Sequence, residues 1–122
     1  MPRVVHFEIH ADVPEKAIKF YEEVFDWKFN KWEGPEEYWM ITTGPKKEPG
    51  IDGGLIKRKR PKAHVHNTIN VPSVDKYMKK IKEKGGKIII PKSAIPGVGW
   101  LAFFMDPEDN VFGIMEDDKT AK

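Results

Sequence analysis

The stretch VVHFEIHADVPEKAIKF, residues 4–20, reads as a short alternating strand running straight into a helix, with a histidine third in the strand. In Val4 to His10 the side chains alternate, so His6, Glu8 and His10 share one face while Val5, Phe7 and Ile9 share the other. That gives a strand with an apolar back and a polar front. Asp12 and Glu15 have the spacing of a capping box and Pro14 suits a first helical turn, so a helix is expected to start near Val13. Ala17, Ile18, Tyr21, Val24 and Phe25 form its apolar stripe, placed to lie on the back of a sheet.

A fainter copy of the same unit, HVHNTINVPSVDKYM, begins at His64. His64, His66, Thr68 and Asn70 fall on one face of its strand. Pro72 and Ser73 start a helix in which Val74, Tyr77, Met78 and Ile81 keep helical spacing, and Gly85-Gly86 ends it. Between the copies lie three strand-like runs, Trp27 to Trp32, Glu37 to Thr43 and Gly54 to Lys59, separated by turn-rich GPE and GPKKEPGIDGG. After the second copy come Lys87 to Ile90, Trp100 to Met105 and Val111 to Glu116. Each half therefore reads βαβββ. The expected fold is α+β, two βαβββ modules at about 3–60 and 63–117 within one domain, forming an open eight-stranded cup with helices outside and a short tail at 118–122.

Length and composition agree with a single domain: 122 residues with 39% hydrophobic and 33% charged side chains. The net charge of +2 is too small to argue for a nucleic-acid or membrane partner. KRKRPK, residues 57–62, reads as a solvated edge strand leading into a linker, since no aromatic residue interleaves it. No apolar run approaches a membrane span and Met1 to Phe7 lacks the apolar core of a signal peptide, so a cytoplasmic protein is expected. The absence of cysteine excludes disulfides, thiol catalysis and thiolate metal sites.

VVHFEIHADVPEKAIKFYEEVFDW, HNTINVPSVDKYMKKIKEKGG and GWLAFFMDPEDNVFGIMED, which together span nearly the whole chain, resemble the vicinal oxygen chelate superfamily. That superfamily includes glyoxalase I, extradiol dioxygenases, fosfomycin-resistance enzymes and bleomycin-resistance proteins, and the closing pattern is similar to its small glyoxalase-related branch. The resemblance implies a divalent ion held in the cup by histidines and carboxylates of both modules, chelating neighbouring oxygens of a small substrate, and a homodimer. His6 and His66 match the two histidine ligands. The carboxylate expected in the last strand is Gly113, and the corresponding part of the first module is Gly53-Gly54-Leu55, so two of four ligands are present.

The residues themselves offer Glu8 as the replacement, since it lies on the face of His6 about 7 Å along the strand. His6, Glu8 and His66 are thus the expected donors for Ni, Zn, Mn or Fe, with Glu8 also the expected proton-moving group of a lyase, isomerase or dioxygenase. His10 and His64, nearer the strand ends, read as solvated. The alternative is a metal-free binder of the bleomycin-resistance type, which the glycine at 113 favours. Trp27, Trp32, Trp39, Trp100, Phe103 and Phe104 divide between helix-packing core and cup lining, and SAIPGVGW, residues 93–100, reads either as a closing loop or as an ordinary connection between strands.

Overall fold

The computed structural model describes residues 2–122. Its elements follow the order β1 (Arg3–Ala11), α1 (Pro14–Phe25), β2 (Lys28–Lys31), β3 (Tyr38–Thr42), β4 (Gly53–Lys57), β5 (Val65–Asn70), α2 (Val74–Glu83), β6 (Lys87–Ile95), β7 (Gly99–Met105) and β8 (Val111–Asp117). This is an α+β chain with the βαβββ order twice over, as the repeat predicts. Contacts gather it into two compact units, 6–66 and 67–122, the second also taking the strand residues up to Val5.

In the first unit the strands run β2-β3-β4-β1. β1 pairs β4 in parallel, with Phe7 opposite Gly53, Glu8 opposite Gly54 and Ile9 opposite Leu55, and β3 pairs antiparallel with both β2 and β4. Ile9, Ala11, Trp39, Ile41 and Leu55 form a buried core onto which Phe7, Ala17, Ile18, Tyr21, Trp27 and Phe29 pack. The alternation of β1 is therefore real, and its apolar back meets α1.

Two details of α1 depart from expectation. Val13 is its N-cap and no side chain caps the helix, because Asp12 turns instead to Arg58, 3.1 Å from its Nε. Val24 and Phe25, counted in the apolar stripe, lie more than half exposed at the far end of the helix.

In the second unit the order is β5-β8-β7-β6, with β5 parallel to β8 and Thr68 opposite Gly113. Val71, Val74, Ala102 and Ile114 are buried beneath Tyr77, Met78, Ile81, Trp100 and Phe104. The Ser73 hydroxyl accepts the Lys76 amide at 3.2 Å and the Glu116 carboxylate accepts that of Val74 at 3.0 Å, so the start of α2 is capped twice. Gly85, at φ 98°, closes the helix.

Residues 93–100 are not a lid. β6 runs on to Ile95, a short turn through Gly97 at φ 75° follows, and Ile95 pairs with Gly99. The closing residues are tied down as well. Ala121 is buried and accepts the Gly97 amide, and Asp118 accepts the Trp100 indole N–H at 2.9 Å.

Candidate functional site

Within the first unit, the polar face of β1 collects titratable side chains. Glu8 Oε1 stands 3.3 Å from His10 Nε2, with both side chains largely enclosed. The His10 ring lies against that of His66, centroids 4.8 Å apart and planes inclined at 58°. His6 Nε2 meets the Tyr38 hydroxyl at 3.3 Å. His6, Glu8, His10, His66 and Tyr38 are thus linked in pairs along one sheet face. The expectation that His10 is solvated does not hold, because its side chain is only 13% exposed. His64 is exposed and sits 3.2 Å from an Arg58 Nη1.

Arg58 is the hinge pin of this end of the sheet. It donates to the carbonyls of His10 at 3.0 Å and Ala63 at 2.9 Å besides pairing with Asp12. The His10 amide in turn donates to the His64 carbonyl at 2.9 Å. The basic run is therefore not an edge strand, although residues 59–62 form the exposed linker expected after it. β4 lies between β3 and β1, and Arg58 at its end holds the backbone from which His10 and His64 project.

Glu8 is the electrostatic centre. Burial lowers the pKa of His6 against the raising influence of Glu8 and, more weakly, Asp52. Burial also lowers that of His66, helped by His10, while Glu8 opposes the shift and Arg60 and His64 reinforce it. Burial, with Glu8 second, pushes the Tyr38 phenol up to about 12. At neutral pH the face therefore presents two uncharged imidazoles and a protonated phenol around a carboxylate whose charge reaches all three. Such a set can accept a proton at Glu8 and donate hydrogen bonds to an oxygen.

Sequence reasoning missed Tyr38. Its phenol, on β3, crosses the neighbouring strand to reach His6, and it lies where a side chain at Gly54 would be. The signal was present in the glycine pair at 53–54, since glycine inside a strand marks a close approach. Trp32 stands edge-on to Tyr38 with centroids 6.3 Å apart, whereas Trp27, Trp39, Trp100 and Phe104 pack with the helices.

His6, Glu8 and His66, the expected metal donors, share this neighbourhood, but Glu8 is engaged with His10 and His6 with Tyr38. Among the described residues no three His, Asp or Glu side chains are grouped closely enough to hold an ion. At Gly113 an added Cβ would lie 3.1 Å from Thr68 Oγ1 and 3.2 Å from the Phe103 ring, so a side chain there would press on both.

Residues 3–114 match the model of the Glyoxalase/Bleomycin resistance protein/Dioxygenase superfamily. The chain belongs to this superfamily. Among curated proteins none matches its sequence. Solved structures similar to this superfamily member include a hypothetical protein from Bacillus halodurans, 16% identical at a TM-score of 0.71, the match covering 99% of this chain and 98% of that one. A variant of Streptomyces coelicolor methylmalonyl-CoA epimerase in complex with 2-nitronate-propionyl-CoA is 15% identical at a TM-score of 0.68, covering 98% and 97%. A structure described as NAD-dependent benzaldehyde dehydrogenase from Legionella pneumophila is 22% identical at 0.65, covering 93% and 98%. At these identities the likeness is one of fold. Among the described residues no helix is long and apolar enough to cross a membrane.

Proposed function

We propose that the polar face of β1 takes a small oxygenated molecule and that Glu8 moves a proton on the carbon next to its carbonyl, as an isomerase or lyase does. The observation that carries this is the surrounding of one carboxylate by neutral donors. Glu8 pairs with His10, and its charge acts on His6, His66 and Tyr38, whose pKa values burial moves toward the uncharged form. A carboxylate in such company is placed to accept the proton, and the neutral donors to stabilise the oxygen that gains negative charge. The epimerases among the fold neighbours are named for chemistry of this kind on a thioester.

A second reading keeps His6, Glu8 and His66 as ligands of Ni, Zn, Mn or Fe. What favours it is donor chemistry, because neutral imidazole is the form that binds metal and both rings feel the Glu8 charge. When bound, the ion would polarise the substrate oxygen as a Lewis acid. As they stand the three residues do not fit it: Glu8 would have to leave His10, and His6 would have to give up Tyr38. The metal-free arrangement is the one the present contacts of Glu8 and His6 favour. A homodimer and a cytoplasmic setting belong to the same proposal, the former supported by the exposed apolar end of α1 at Phe20, Val24 and Phe25.

The test is a panel of 2-oxo acids, hydroxyketones and thioesters added to chelator-treated protein, with histidine side-chain 15N resonances as the readout. A binder should move His6 and His66 without added metal. A panel in which every binder requires Ni, Zn, Mn or Fe(II) would return the site to the second reading.

A further inference from the structure

The geometry points to Tyr38 as the group that stands where a metal ion would: its hydroxyl, laid over Gly54 and bonded to His6, blocks His6 from a divalent ion and binds the ligand's oxygen in the ion's stead. Three observations carry this. The hydroxyl lies 3.3 Å from Nε2 of His6, so that ring nitrogen is already engaged and is not open to an ion. The hydroxyl end of the phenol occupies the volume a Cβ at Gly54 would claim, so the glycine opposite Glu8 is what leaves room for it. Tyr38 is also half-buried and braced on its outer side by Trp32, whose ring rests over Gly34. A side chain wedged this way is part of the packing and does not swing aside freely.

Its hydrogen bonding suits the role. A neutral imidazole and a phenol carry one hydrogen each, and only one is needed between them. With Nε2–H donating to Tyr38, the phenolic hydrogen is left for an oxygen on the polar face, beside the Glu8 carboxylate. The step is a hydrogen bond and leaves every covalent bond of the phenol in place. The oxygen-binding half of the inference rests on the proton-transfer reading above, while the exclusion of metal stands apart from it.

Ni2+ alone is the probe for the exclusion. Chelator-treated wild type, Tyr38→Phe and Tyr38→Ala are titrated while the His6 and His66 imidazole signals and the melting temperature are followed. The inference expects wild type to show no Ni2+ effect at His6. Tyr38→Ala, which frees Nε2 of His6, should bind Ni2+ at least ~10-fold more tightly than wild type, with the His6 imidazole signal broadened. Tyr38→Phe keeps the ring and so keeps the fold. Its His6 resonance should shift through loss of the hydroxyl, and any proton exchange of a bound ligand should fall ~100-fold.

Wild type coordinating Ni2+ at His6 as tightly as Tyr38→Ala would overturn the inference, as would a His6 signal indifferent to Tyr38→Phe. Either result leaves the role of Glu8 standing. Loss of exchange in Glu8→Gln is read separately, so the two ideas fail on different measurements.

Discussion

A methyl group at Gly54 would overlap the Tyr38 hydroxyl, so a substitution of one carbon is expected to act as far away as His6. Gly54→Ala should cost about 1–3 kcal/mol in wild type and much less in a Tyr38→Ala background, a coupling that urea melts of the four-variant cycle measure directly. A coupling within error of zero would mean the phenol gives way freely. The histidines supply a pH dependence with a definite sign. His6 and His66 have folded pKa values below about 6.5, so between those values and 6.5 the unfolded chain binds more protons than the folded one. Their contribution makes stability rise with pH through that window and level off above it. Wild type should lose more melting temperature between pH 7.5 and pH 5 than His6→Gln/His66→Gln does, and equal losses would contradict the burial of these rings. At this scale the sequence was partly legible. Period-two alternation put His6, Glu8 and His10 on one face of β1 and His64 with His66 on one face of β5, but it is blind to a side chain that crosses its neighbouring strand, as Tyr38 does.

The two helices show what capping signals can and cannot say. Ser73 caps α2 as its position predicts, whereas Asp12, with equally good spacing, spends its carboxylate on Arg58. Ser73→Ala should therefore cost about 1 kcal/mol and Asp12→Ala less than about 0.5, since that carboxylate is 79% exposed, and urea midpoints decide both. Local spacing cannot foresee a competitor 46 residues away, which is why the first cap was misread and the second was not. Strand identity was legible except in the far half of β6, read as ending at Ile90 because Pro91 follows, although the strand runs on to Ile95. Strand neighbours were not: β4 carries a charged end and yet lies inside its sheet, its Arg58 tying β1 to the segment before β5.

Across the molecule, the repeat preserves a frame and varies what hangs on it. Glu8 faces Gly54 in the parallel pair of one module, and Thr68 faces Gly113 in the parallel pair of the other. The first rung carries a carboxylate beside histidines and a tyrosine. The second carries a buried threonine whose hydroxyl, with Phe103 and Leu101, lines the space over Gly113. The doubled fold followed from the repeated strand-helix unit, because packing needs only the pattern, and the superfamily from the resemblance of three longer stretches. The chemistry did not follow, because it depends on which rung kept its charge and on what filled the space the glycines left. The central claim is that Glu8 moves a proton on a carbon beside a carbonyl, and solvent deuterium wash-in reads this most directly. Chelator-treated wild type in D2O should place deuterium on the carbon next to the carbonyl of a compound that moves the His6 and His66 signals, and Glu8→Gln should do so at least ~100-fold more slowly. Equal wash-in by the two proteins, or none by wild type with such a compound bound, would contradict the account.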